Sequence, residues 1–293
     1  MNYWSNSDYL LQASANRVRL QQVFFSLAAL GLLMNQVMGV SIAQMGPNPL
    51  LNQDVDPVYI TLMALKIPQL LSGQLAPWFD GLLFIACVAA IIWPGRLVFS
   101  RAFCLLYFIH FTTYNMIAGH HYINIAVLVM SFAFIFSSPA RFAAAYSGCR
   151  FVFCFMMFTA AAWKIVRGNL WYTDQTSMLL LNTHLEALVM NKHGLLTAWL
   201  KWTLQHKQLA HLIWVFLIGL EAVYLAGFIT YRADKWLLVC YLLFFLGGYL
   251  LFDIYNYENL LFLLTLKPVM QFIIRLPNSR YSPEAEITPL ASS

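Results

Sequence analysis

Charge is scarce in this chain: 17 Lys and Arg with 12 Asp and Glu leave 10% of its 293 residues ionisable by charge class, against 61% hydrophobic. Soluble domains carry about a quarter charged residues, so a water-exposed fold is excluded and an integral membrane protein is the expectation. The formal charge of +5 implies no nucleic-acid partner, because in a membrane protein the placement of cations says more than their sum.

Motifs are scarce as well. There is no H-E-x-x-H, no Walker loop, no G-x-S-x-G and no dinucleotide fingerprint, which removes metalloprotease and nucleotide-driven pump chemistry. The five cysteines, Cys87, Cys104, Cys149, Cys154 and Cys240, lie in or beside apolar runs without metal-ligand spacing, so they read as structural thiols and no metal site is expected. Residues 1–16 are polar and the first apolar run is long enough to persist as a helix, so no cleavable signal peptide is expected.

What the chain has is long apolar runs. Crossing roughly 30 Å of hydrocarbon takes about twenty residues of helix, and eight runs approach that: 20–43, 78–93, 102–118, 121–138, 151–166, 209–230, 236–251 and 259–274. They predict an all-α integral membrane protein, a bundle of about eight transmembrane helices. Residues 1–19 are then a cytoplasmic N-terminal segment, 20–275 the membrane domain and 276–293 a disordered cytoplasmic tail, with Pro283 and Pro289 among Ser, Glu and Thr. Threading eight helices gathers Arg17, Arg19, Arg96, Arg101, Arg141, Arg150, Arg232, Lys235, Lys267, Arg275 and Arg280 on one side. The positive-inside rule makes that side, and both termini, cytoplasmic.

The longest outward segment alternates apolar stretches (178–181, 185–190, 195–204) around the turn signal Asn191-Lys192-His193-Gly194. It predicts one or two amphipathic helices lying on the outer face, a possible roof over a cavity among the helices.

Ionisable and strongly polar groups at membrane depth are costly and mark function by default. The runs and their edges hold His110, Asn115, Glu221, Asp253 and Glu258. Lys164 closes the fifth run in the stretch Ala-Ala-Trp-Lys-Ile-Val-Arg-Gly-Asn-Leu-Trp, residues 161–171. It reads either as an interfacial anchor whose stem lets the ammonium reach water or as a catalytic base. Gly119-His120-His121-Tyr122, Lys164 and the segment 252–258 fall at one membrane level by topology, and a cavity shared by Lys164 and the two histidines is expected.

His120-His121-Tyr122-Ile123, followed by Lys164-Ile165-Val166-Arg167-Gly168-Asn169-Leu170-Trp171, resembles the membrane domain of the vitamin K-dependent γ-carboxylase family. The likeness is to its bacterial relatives, the horizontally transferred transmembrane domain proteins, which pair an Asn-His-x-Tyr-Leu-like helix start with a Lys-…-Gly-x-x-Trp segment. The resemblance implies a lipid quinone or quinol as cofactor, Lys164 as the base that deprotonates the quinol, and His120, or His121 beside it, holding the quinone. Trp163, Trp171, Tyr122, Asn115, Glu221 and Asp253 are then the candidate cofactor-binding residues. The chain departs from the family at Gly119, where Asn is common, and at Phe252-Asp253, where a histidine is usual. The soluble domain that binds the carboxylases' substrate peptide has no counterpart in these residues, so glutamate carboxylation is not implied.

Two functions follow as expectations. One is a quinol-dependent enzyme or maturation factor in the bacterial cytoplasmic membrane, modifying a secreted peptide or a membrane lipid on the outer face. The other is a noncatalytic membrane subunit packing against partner proteins.

Overall fold

The computed structural model describes residues 7–44, 61, 64–71, 73, 75–118, 125–190, 194–252 and 257–276. Among them every regular element is helical: α1 (Ser7–Ala15), α2 (Arg17–Val37), α3 (Ile67–Leu71), α4 (Ala76–Ile92), α5 (Leu97–Ala118), α6 (Ile125–Ala133), α7 (Pro139–Val166), α8 (Asp174–Val189), α9 (Leu195–Gln205), α10 (Lys207–Ala222), α11 (Leu225–Ile229), α12 (Asp234–Phe252), a 3-10 segment (Tyr257–Thr265) and α13 (Lys267–Arg275).

Among the described residues five helical stretches are long and apolar enough to cross a membrane, Arg17–Val37, Leu97–Tyr114, Pro139–Val166, Lys207–Ile229 and Tyr231–Leu251, or six if the bent pair Tyr257–Thr265 and Lys267–Arg275 is one span. The chain is a multi-pass membrane protein of the all-α class. The remaining three of the eight expected runs take other forms. Run 78–93 is the shorter apolar helix α4, of 17 residues. Run 121–138 contributes only the nine residues of α6 among the described ones. Run 259–274 bends by 81° between the 3-10 segment and α13, because Leu266 is extended and Pro268, which lacks an N–H, opens a new helix in its first turn.

Helix α7 is the spine. It starts on an extended Ser138 with Pro139 at its first turn, the position where a missing N–H costs nothing. Its other end is closed by glycine: Gly168 has φ +80°, its N–H donates to the Ile165 carbonyl at 2.9 Å and the Asn169 N–H to the Lys164 carbonyl at 3.0 Å. Those two bonds and the left-handed residue make a Schellman cap. The glycine of the Lys-…-Gly-x-x-Trp stretch therefore has a backbone reason of its own.

Aromatic packing joins α7 to the N-terminal half: fully buried Phe24, Phe134, Phe142 and Tyr146 succeed one another at 5.2, 5.4 and 5.5 Å between ring centroids. One end of the bundle is tied by arginines. Arg17 donates to the Phe134 and Ser137 carbonyls beyond α6, Arg101 to Ile135, and Arg19 to Ile274 and Leu276 at the end of α13. These carbonyls lie where helices stop and have lost their own N–H partners. Helix α2 and the last described helix thus meet at one end.

Deeper at that end Arg150 of α7, 0% exposed, donates to Asp234 Oδ1 at 2.5 Å through Nη2 and 3.2 Å through Nε, and to the carbonyls of Gly227 at 2.7 Å and Thr230 at 3.2 Å. Its guanidinium lies 4.1 Å from the Tyr231 ring. Asp234 Oδ2 accepts the Lys267 N–H at 2.8 Å and so caps α13. Arg150 was grouped by sequence with the turn-borne cations that orient the chain; instead it is inside a 28-residue helix and internally neutralised.

The α7–α11 contact is close enough to require glycine: a Cβ at Gly227 would lie 2.4 Å from Cys154 Sγ and 3.1 Å from Leu237 Cδ1. Gly227→Ala is expected to cost about 1–3 kcal/mol from overpacking. Cys154→Ala in the same chain removes the nearest atom and should recover part of the loss in a denaturant titration of the detergent-solubilised protein. No recovery would place the strain elsewhere.

The segment expected to form one or two helices is helical, as α8 and α9. Leu180 and Leu200 are buried against Leu217 and Leu220 of α10 and Leu251 of α12, and α8 kinks at His184, whose Nε2 lies 2.9 Å from the Leu251 carbonyl oxygen.

Candidate functional site

The site grows from two helix faces. On α10, Trp214, Ile218 and Glu221 recur at the spacing that puts them on one side of a helix, and that side meets Ala161 and Lys164 of α7. Lys164 stands one turn after Ala161 and within the last turn of α7, where a cation complements the helix dipole.

Lys164 Nζ lies 2.5 Å from Glu221 Oε1 and 2.7 Å from Oε2. Glu221 is 2% exposed at its side chain and Lys164 24%. The carboxylate is thus wholly enclosed while one side of the ammonium stays reachable. The Trp214 and Phe244 rings sit 5.3 and 5.8 Å from Nζ, within reach of a cation–π attraction. Buried opposite charges are tolerated in this arrangement, in contact and hydrogen-bonded. An ammonium has three donors, and Glu221 takes up two directions, which leaves one for a further acceptor.

Phe244 also walls a cavity of about 90 Å³ between α7, α12 and the 3-10 segment, with Phe153, Met157, Tyr241, Asn259 and Phe262. Met157 stands two turns before Lys164 on α7. The Asn259 Oδ1 is buried and accepts no hydrogen bond among the described residues.

Of the residues expected at the site, Lys164 and Glu221 come together, and their pairing across 57 residues of sequence is new information. Trp163 and Trp171 point elsewhere: they are 57% and 78% exposed, and Trp163 stacks under Arg167 at 4.4 Å. Asn115 is in the last turn of α5. His120, His121, Tyr122 and Asp253 lie outside the described residues.

Three ionisable groups that belong to this picture are not singled out by sequence. Asp80 is inside the second apolar run, and an acid within such a run is itself a signal. Arg150 and Asp234 had none, since a charge at the edge of a run normally faces water. No family model, no curated protein and no solved structure matches the chain.

Proposed function

We propose that the chain is a membrane enzyme or maturation factor akin to the γ-carboxylase membrane domain, using a lipid quinol to modify a peptide or lipid at the outer face of a bacterial cytoplasmic membrane. Lys164 is the base. The observation that carries this reading is the half-open ammonium of Lys164 held against an enclosed carboxylate, with two aromatic faces beside it. Both termini are taken as cytoplasmic, in keeping with the arginine-tied end.

A quinol headgroup needs a flat apolar slot with hydrogen-bond acceptors, and Phe244 with its cavity and the free Asn259 Oδ1 have that chemistry. At about 90 Å³ the cavity is smaller than the roughly 150 Å³ that holds a benzene ring, so Phe244 has to turn aside for a ring to enter. The quinol would supply an acidic hydroxyl and two reducing equivalents.

The chain's own part is proton handling. Lys164 passes a proton to Glu221 over 2.5–2.7 Å, which leaves a neutral amine and a neutral carboxylic acid, forms better suited to apolar surroundings than two ions. The amine then accepts a hydroxyl proton, releases it from the exposed side of Lys164, and takes back the proton held by Glu221, which restores the starting pair. The Gly168 cap fixes the helix end that carries the amine. His120 and His121, with Tyr122, Asn115 and Asp253, are assigned to holding the quinone by the resemblance, and Trp163 and Trp171 to the membrane interface where such side chains gather.

Lys164→Arg tests the base. A guanidinium keeps the charge and the Glu221 pair but stays protonated, so quinol consumption by membranes, or maturation of a genetically linked secreted peptide, should fall to background at unchanged protein abundance. Full activity in the arginine variant overturns the assignment.

A noncatalytic subunit is the second reading, favoured by the contact of Lys164 with both oxygens of Glu221, since a carboxylate so held needs no ligand. Purification from native membrane followed by mass spectrometry separates the two, stoichiometric quinone supporting the enzyme and stoichiometric protein subunits the scaffold.

A further inference from the structure

A second polar constellation lies in the N-terminal half, away from Lys164. Helices α2, α4 and α5 enclose a cavity of about 300 Å³, and its polar walls are Asn35, Gln36, Ser41, Asp80 and His110. The rest of its lining is apolar, with Leu32, Pro77 and Phe84 among it.

The rim is built. After α2 the chain turns back, with the Gln44 side chain as its knot: Ser41 donates to Gln44 Oε1 through Oγ at 2.8 Å, and Gln44 Nε2 donates to the Gln36 carbonyl at 3.0 Å. This turn presents the Ala43 N–H to Asp80 Oδ2 at 3.2 Å. The other oxygen, Asp80 Oδ1, is buried with no hydrogen bond among the described residues. The imidazole of His110 is 3% exposed and stacked between Tyr107 and Tyr114 at 5.3 and 5.8 Å, and its Nδ1 is buried and equally unpartnered. Two buried polar atoms, a carboxyl oxygen and a ring nitrogen, thus line one cavity without a hydrogen bond among the described residues, and leaving such atoms unsatisfied costs about 1–3 kcal/mol each.

We propose that this cavity binds a primary ammonium group, with Asp80 Oδ1 supplying the counter-charge and His110 Nδ1, as the unprotonated ring nitrogen, a second acceptor. A divalent metal is a poorer fit, since no three His, Cys, Asp or Glu side chains cluster among the described residues. One water is also a poor fit, since a water occupies about 30 Å³ of liquid against about 300 Å³ here. The ammonium comes either from a membrane lipid's ethanolamine head group or from a free small amine. Leu33 of the cavity lining is 48% exposed, and Trp78 and Leu82, two residues to either side of Asp80 in sequence, are 79% and 52% exposed; tryptophan is a residue type that gathers at head-group level.

The test uses the purified full-length protein in detergent and native mass spectrometry. Phosphatidylethanolamine should be retained at least tenfold more strongly than phosphatidylglycerol, which has no ammonium. Asp80→Asn should remove that preference, and His110→Leu should weaken it severalfold. Gly81→Leu adds bulk at the cavity wall, where a new Cβ meets nothing within 4 Å, and should lower retention with Asp80 intact, which covers the case in which Asp80→Asn fails to accumulate. Competition by free ethanolamine identifies the head group as sufficient; lack of competition identifies the whole lipid. Equal retention of the two lipids by the wild-type protein overturns the proposal, as does undiminished preference in folded Asp80→Asn or, if that variant is lost, in Gly81→Leu.

Discussion

Arg150→Met is expected to lose about 3–5 kcal/mol of stability, the usual cost of leaving one partner of a buried ion pair alone. Four bonds go at once: two to Asp234 Oδ1 and one each to the Gly227 and Thr230 carbonyls. Asp234, 1% exposed, then faces protein interior and keeps the Lys267 N–H. Adding Asp234→Leu should recover part of the loss by removing the stranded carboxylate, but not all of it, because two carbonyls and the first-turn N–H of α13 still lack partners. Chaotrope unfolding in detergent, or steady-state abundance in membranes, measures this. A single variant within 1 kcal/mol of wild type would mean that water reaches Asp234.

The Lys164–Glu221 pair should behave differently in its two halves. Lys164→Met strands a carboxylate that is 2% exposed, which costs about 3–5 kcal/mol less whatever the group regains by taking up a proton. Glu221→Leu should cost less, since Lys164 is 24% exposed and its stem can carry the ammonium to water. The double variant Lys164→Met, Glu221→Leu should return to wild-type stability or above it, as apolar replacements of buried pairs often do, and should have no quinol-dependent activity at all. That combination separates a working group from a structural one. A double variant that is stable and still active would remove Lys164 from the chemistry, and one less stable than both singles would show that Trp214 and Phe244 need the cation.

Membrane class, helical fold and the helicity of α8 and α9 were legible in sequence, because each is a property of consecutive residues. So was the interest of Lys164 and Glu221, as ions among apolar neighbours. Their partnership was not, since nothing local links positions 57 apart. The same holds for Arg150 and Asp234, which are 84 apart, and there the local signal misleads: Asp234 stands between Arg232 and Lys235 and resembles a loop acid. The eighth run hides a bend. Residues 259–274 are apolar enough for one span, yet Pro268 and the extended Leu266 break it, a cost that hydropathy does not register. Asp80 was legible in principle as an acid three residues into an apolar run, but its cavity depends on the turn at 41–44 folding back over it.

Helix α7 carries two paired cations, the buried Arg150 and the part-exposed Lys164, fourteen residues and so about 21 Å apart along its axis, while both of their anions belong to later helices. During synthesis α7 therefore emerges with its two charges unmatched, each disfavouring entry into lipid by about 2.5–3.5 kcal/mol when near the middle of the bilayer. Glu221 follows 57 residues after Lys164, and Asp234 84 residues after Arg150. The two ion pairs of α7 therefore close only after α10 to α12 have left the ribosome, so the final packing of α7 is set after its own synthesis is complete.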